Sequence, residues 1–182
     1  MIEVEIRAKI NHKSQVQDKL KQAGATLVKS INQADRIFGH EMFLDEKKMI
    51  VEGGLSARIR QVDGKAWLEF KEISRNKGAG IEIKADLDNI EEGLRFFEKL
   101  GFEEAFALNK QREVYSLNGF EICLDEVEKL GNFIEIEKSA LSQDEIEAAK
   151  QECLELLEKV SPESEIINKK YGDLMQEILN KK

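Results

Sequence analysis

The chain has 182 residues, of which 41% are apolar and 35% charged, and its net charge is −8. That length buries a full core within one domain, and the acidic balance argues against a nucleic-acid binder, which carries a basic excess. No stretch reaches the roughly 20 apolar residues of a membrane span, and the start Met1-Ile2-Glu3-Val4-Glu5 lacks the regions of a signal peptide, so a cytoplasmic protein is expected.

Residues 2–10 alternate strictly, with Ile2, Val4, Ile6, Ala8 and Ile10 on one side and Glu3, Glu5, Arg7 and Lys9 on the other. Period two means a strand. A helix over 13–23 places Val16, Leu20 and Ala23 on one face and stops at Gly24. Extended segments are expected over 25–31 and 35–44, then a turn at Glu52-Gly53-Gly54. Residues 55–62 alternate again, with Arg58 and Arg60 together. Gly64 turns the chain into 65–72, a hairpin partner that groups Trp67, Glu69 and Lys71. After a turn at Asn76-Lys77-Gly78, residues 81–86 alternate, and a helix spans 90–100 with Gly101 as its stop. Strands follow over 106–117, 120–126 and 132–138, with Asn118-Gly119 the clearest hairpin signal. Ser142 and Glu145 form a capping box ahead of a stripe of Ile146, Ala149, Cys153, Leu156 and Val160. A last helix begins near 164 with Ile167, Tyr171, Leu174 and Ile178 on one side. Cys123 and Cys153 stand in no metal-ligand spacing and read as buried free thiols.

The pattern repeats at an offset of 77 residues: Val4-Glu5-Ile6-Arg7-Ala8 matches Ile81-Glu82-Ile83-Lys84-Ala85, and Ile37-Phe38 falls on Val114-Tyr115. Gly54 falls on Gly131 and Ile59 on Ile136, which sets Arg58 and Arg60 opposite Glu135 and Glu137. The expected fold is α+β. A single domain over 1–182 holds repeat halves of about 1–77 and 78–140 and C-terminal helices over 142–182. The halves close an antiparallel barrel of about eight strands, with helices outside and a cationic wall facing an anionic one.

A charged face on one strand is ordinarily the solvated side of an antiparallel sheet. Here charges alternate on many strands, while the opposite faces are rich in Ile, Val, Leu and Phe and several amphipathic helices are available to cover them. Helices packed outside would leave the charges inside. Burying an unpaired ion costs several kcal/mol, so ligands must compensate. Lys and Arg match a polyphosphate, and carboxylates beside them make sense if they hold Mg²⁺ or Mn²⁺.

These residues resemble the CYTH superfamily, the triphosphate tunnel metalloenzymes, which include CyaB-type adenylyl cyclases and thiamine triphosphatases. The resemblance runs through Glu3-Val4-Glu5-Ile6-Arg7, Arg58-Ile59-Arg60, Trp67-Leu68-Glu69-Phe70-Lys71 and Lys110-Gln111-Arg112. It ends in Leu124-Asp125-Glu126-Val127 with Leu130-Gly131-Asn132-Phe133-Ile134-Glu135-Ile136-Glu137, and in Lys170-Tyr171 with Leu174. It implies metal binding by Glu3, Glu5, Asp125, Glu135 and Glu137. It implies triphosphate binding by Arg7, Lys9, Arg58, Arg60, Lys71, Lys84, Lys110 and Arg112, with the pattern looser at Glu82 and Lys84, and a catalytic group of Glu5, Lys71 and Glu135. The implied activity is that of an adenylyl cyclase making cyclic AMP and pyrophosphate from ATP. The alternatives are a triphosphatase acting on inorganic or thiamine-type triphosphate, and a non-catalytic nucleotide- or polyphosphate-binding module. The partner is a triphosphate small molecule, without nucleic acid or membrane, and a homodimer is left open.

Where the family motif has Lys, this chain has Arg7, which does not readily give up a proton; Lys9, on the same face, could substitute. His12 and His40 read as surface residues, Trp67 as wall packing, and Gly53-Gly54 as a turn, since no Walker-type Lys follows.

Overall fold

Alternation of apolar and charged residues builds β1 (Ile2–Ile10), and the Val16/Leu20 spacing builds α1 (Lys13–Gln22). They are followed by β2 (Thr26–His40), β3 (Leu55–Val62), β4 (Lys65–Glu72), β5 (Glu82–Leu87), α2 (Ile90–Lys99) and β6 (Phe102–Leu117). The chain ends with β7 (Phe120–Val127), β8 (Gly131–Ala140), α3 (Ile146–Val160), β9 (Glu165–Ile166) and α4 (Tyr171–Leu179). This is a computed structural model, and it describes residues 2–46, 50–51, 55–72 and 82–179, with the side chains of Lys71, Glu72 and Glu82 outside that description. The turns expected at Gly53-Gly54 and Asn76-Lys77-Gly78 also lie outside the described residues. No helix among the described residues is long and apolar enough to cross a membrane. Both cysteines are free and buried, as expected.

The architecture is α+β, a large antiparallel sheet with four helices, in the order β5-β4-β3-β2-β6-β7-β8-β1-β9. The expected closed barrel is not what the ladders show, because among the described residues no pairing joins β5 to β9. The outer edge of β1 is taken instead by a local strand: Ala8 and Lys9 pair with Ile166 and Glu165, and Ile167 N donates to Arg7 O at 2.8 Å. Those edge bonds also explain why residues 164–170 are not helical and α4 starts only at Tyr171.

The chain divides into two compact units, Met1–Ile31 with Lys110–Lys170, and Asn32–Asn109 with Tyr171–Lys182. In the first, β1 and β8 run antiparallel with Glu5 opposite Glu137 and Arg7 opposite Glu135. Ile6, Ala8 and Ile10 of β1 pack with Ile122, Leu124, Ile134 and Ile136 against Val16 and Leu20 of α1 and Cys153, Leu157 and Val160 of α3. The alternate residues of these strands, which carry the charges, lie on the face away from those helices. In the second unit, Phe38, Ala57 and Ile59 pack against Phe97 of α2, leaving Arg58, Arg60 and Glu69 on the other face.

Local differences from expectation have local causes. β2 is one strand rather than two segments, because its ladder with β3 runs without a break from Gln33 to Gly39. At the expected capping box, Ser142 makes no side-chain cap bond. Glu145 Oε2 instead accepts from Leu141 N at 2.8 Å, one residue before the expected cap. The Asn118-Gly119 hairpin is present, with φ of +47° and +83°, the positive pair a type I′ turn requires.

Ladder positions of the two units can be matched pair by pair, but not at one offset. Lys84 faces Glu69 as Arg7 faces Glu135, and Glu82 faces Lys71 as Glu5 faces Glu137. Asp35 faces Arg60 on β2–β3 where Arg112 faces Asp125 on β6–β7. The offset of 77 therefore holds from β1 to β2 and fails from β3 onward. The reason is the connection: β2 and β3 are joined by a long segment, whereas β6 and β7 are joined by the two-residue hairpin. Arg60 corresponds to Asp125 and Arg58 to Cys123, so the pairing of Arg58 and Arg60 with Glu135 and Glu137 read from the sequence is corrected, as is that of Ile59 with Ile136.

Candidate functional site

In the first unit the charged face of β6, β7, β8 and β1 carries an unbroken chain of ion pairs. Asp125 has no exposed surface. It accepts from Lys110 Nζ at 3.1 Å and from Arg112 Nε at 2.7 Å, with Arg112 Nη2 closing on its second oxygen. Arg112 also reaches Glu135. Glu135, 3% exposed, takes Arg7 Nε at 2.6 Å. Arg7 donates in turn to Glu5 at 2.6 Å and to the Lys169 carbonyl at 3.0 Å.

Burial sets the titration of this chain, and the partners decide its sign. Burial pushes the Asp125 carboxyl up, but the Arg112 hydrogen bond and the Lys110 charge outweigh it and hold the group below its ordinary value. Burial lowers Lys110 despite Asp125. Arg112 is raised, because the Asp125 bonds and the charges of Asp125 and Glu135 overcome desolvation. Glu137 is pushed up to about 7 by burial, a hydrogen bond with Glu3 and the charges of Glu3, Glu5 and Glu135. Glu5 rises through burial and then Glu135.

The acids fit a hard divalent cation by their chemistry. Glu3, Glu5, Glu135 and Glu137 offer only oxygen donors, and Glu137 is raised by burial first and then by its acidic neighbours. Among the described residues no three acids are yet gathered around one ion position, since Arg7 lies between Glu5 and Glu135.

In the second unit, Asp35 is 4% exposed. Arg60 grips both its oxygens, Nε to Oδ1 and Nη2 to Oδ2 each at 2.7 Å. Arg58 Nη1 lies 3.4 Å from Oδ2, and the Gln33 amide donates to it at 2.9 Å. Arg58 and the Trp67 indole N–H both donate to Glu69. Their bonds offset the upward push of burial and lower the Glu69 carboxyl. Lys84 Nζ sits 4.1 Å above the Trp67 ring, a cation–π seat.

The structure thus brings together Glu5, Arg7, Lys110, Arg112, Asp125 and Glu135 in one unit, with Glu3 and Glu137 beside them, and Arg58, Arg60 and Lys84 in the other. Lys9 is exposed on β1 opposite Phe133. The backbone of Lys71 pairs with Ser56 and Glu82, but its side chain is outside the description. His12 is exposed, and His40 Nδ1 accepts from Met42 N at 3.2 Å in a local turn. Trp67 belongs to the charged cluster rather than to wall packing alone. The sequence marks Asp35 only as the start of an extended segment. The signal for it was present, because the 77-residue offset sets it on Arg112.

A CYTH domain model matches residues 1–171. A Methanocaldococcus jannaschii protein named "Putative adenylate cyclase" is 33% identical over 177 residues, covering 96% of this chain and 98% of that protein. A solved Pyrococcus horikoshii protein superposes with a TM-score of 0.71 at 25% identity, covering all of both chains. A Hippeastrum protein, named a putative adenylyl cyclase and described as having a dominant triphosphatase activity, has the same fold. Its TM-score is 0.64 at 17% identity, over 97% of this chain and 96% of that one. The match across nearly the whole length, together with the paired charges on alternating strand positions, establishes that this chain belongs to the CYTH family.

Proposed function

We propose that the chain is a metal-dependent enzyme acting on a triphosphate, and specifically an adenylyl cyclase that converts ATP to cyclic AMP and pyrophosphate. The observation that carries this is the ion-pair chain from Lys110 to Glu5, with the raised Glu137 carboxyl at its acidic end. The M. jannaschii relative bears a cyclase name. The whole of 1–182 is read as one functional domain of a cytoplasmic protein.

Of the expected metal set, Glu3, Glu5, Glu135 and Glu137 would hold Mg²⁺ or Mn²⁺, which neutralises phosphate charge and makes the phosphorus more electrophilic, while Asp125 is engaged by Lys110 and Arg112 instead. Arg7, Lys9, Lys110 and Arg112 supply cationic donors for phosphate oxygens, and Arg58, Arg60, Lys71 and Lys84 are donors of the same kind in the second unit. Asp125 fixes Arg112 by two bonds, which limits the rotamer entropy lost when that arginine takes a phosphate. The ribose 3′-hydroxyl attacks the α-phosphorus and pyrophosphate leaves. Arg7 cannot take the hydroxyl proton. The proton passes to a carboxylate of the acidic group that is not engaged by the metal, or to water.

A triphosphatase is the second reading, favoured by the activity described for the Hippeastrum protein. There water attacks the terminal phosphorus and phosphate leaves. The test is to incubate the protein with ATP, tripolyphosphate and thiamine triphosphate, each with Mg²⁺ or Mn²⁺, and identify the products. Cyclic AMP with pyrophosphate supports the cyclase, and phosphate release without cyclic AMP supports the triphosphatase. Binding without turnover under both metals overturns the enzymatic reading.

A further inference from the structure

Asp35 lies outside every acidic and basic signature of the sequence, yet it is buried and held by three side chains of the second unit. It is 4% exposed and accepts two bonds from Arg60, one from Gln33 and a longer one from Arg58. The arginines remain partly accessible, with 21% and 31% of their side-chain surfaces exposed against 5% for Asp35. The acid is sunk beneath the two guanidinium groups it holds.

The first unit contains the same device with its polarity exchanged. Arg112 on β6 grips Asp125 on β7 through Nε at 2.7 Å and through Nη2. Asp35 on β2 takes Arg60 on β3 at the equivalent ladder position. A bidentate fork therefore spans this ladder position in both halves, while the sign of each strand is not fixed by the fold. Stability alone gives weak grounds for such a pair, because burying two charges costs about what their attraction returns. What the fork does supply is orientation. Two parallel bonds lock a long side chain that would otherwise lose rotamer freedom on binding an anion.

We propose that Asp35 is a positioning residue for triphosphate binding, holding Arg60 and Arg58 in the posture that receives phosphate oxygens. This rests on the reading of the protein as triphosphate-binding. The probe is inorganic tripolyphosphate, titrated calorimetrically into the full-length chain, with thermal unfolding measured in parallel. Asp35→Asn keeps the shape of the side chain and one acceptor oxygen but loses the charged fork. It should weaken tripolyphosphate binding about tenfold or more, a loss on the scale of one charge-assisted hydrogen bond. The exchanged pair Asp35→Arg with Arg60→Asp restores the ion pair in the polarity the first unit uses. It should recover thermal stability relative to Arg60→Asp alone while tripolyphosphate binding stays at least tenfold weak. Binding at the wild-type level in either Asp35→Asn or the exchanged variant overturns the proposal, leaving the pair structural only. If the wild-type chain itself fails to bind tripolyphosphate, the triphosphate reading falls first and the role of Asp35 falls with it.

Discussion

Glu5 faces Glu137 across the β1–β8 ladder, two acids at one register position in adjacent antiparallel strands. Like charges placed directly opposite oppose each other, and Glu3 and Glu135 add to the same field. In the corresponding place of the second unit, Glu82 faces Lys71, an opposite-charge pair.

Burial and the field around Glu137 make stability depend on pH in a definite direction. Glu137 has its folded-state carboxyl raised from 4.5 to about 7. The folded protein therefore keeps a proton that the unfolded chain has released. The stabilisation is complete below about pH 4.5 and is lost as pH rises through about 7. In metal-free buffer the contribution of this group should decline between pH 5 and 8, and Glu137→Gln should flatten the curve. A Glu137→Gln profile parallel to the wild type would show that this carboxyl does not carry the effect.

Removing Glu135 should disable the chemistry while leaving the fold. Glu135→Gln keeps the volume and an acceptor for Arg7 and Arg112 but removes the charge a cation needs. Turnover with Mn²⁺ and ATP should fall by about 100-fold or more, since even outer partners of a metal site cost about 10- to 100-fold. Activity and circular dichroism read together decide it, and full turnover in a folded variant would remove Glu135 from the metal set.

Arg112 should matter to folding as well as to substrate. Asp125 has no exposed surface, and Arg112 supplies two of its bonds. Arg112→Ala should cost about 3 kcal/mol in urea unfolding, the scale of removing one partner from a buried ion pair. Arg112→Lys should recover part of that loss only, because an ammonium cannot reproduce the fork. A loss near zero in Arg112→Ala would mean that Lys110 alone compensates Asp125.

Trp67 is the chain's only tryptophan, and Lys84 sits over its ring while Glu69 takes its N–H. A triphosphate that draws Lys84 away should change Trp67 fluorescence in a saturable way. Lys84→Ala should already show the displaced signal and respond little. An unaltered titration in Lys84→Ala would assign the change to another group.

The sequence by itself determined most of the strands, the helices α1, α2 and α3, and which alternate residues of each strand carry charge. Alternation and turn chemistry are local, so residues 55–62 and 65–72 could be bounded as β3 and β4 from the pattern alone. The same alternation puts Lys110, Arg112, Asp125 and Glu135 each on the charged face of its strand, while Arg58, Arg60 and Lys84 stand in the other unit. Only the tertiary structure decided the pairing. Asp35 emerged as an arginine clamp only once β2 was set against β3, since the 77-residue offset sets it on Arg112 but does not say which residue faces it. The true register of the repeat depended on the long connection between β2 and β3, which shifts every later position without disturbing the local pattern. The edge of β1 was likewise closed by residues 165–167, because an unpaired strand edge takes whatever backbone reaches it, and no local periodicity records which segment that will be.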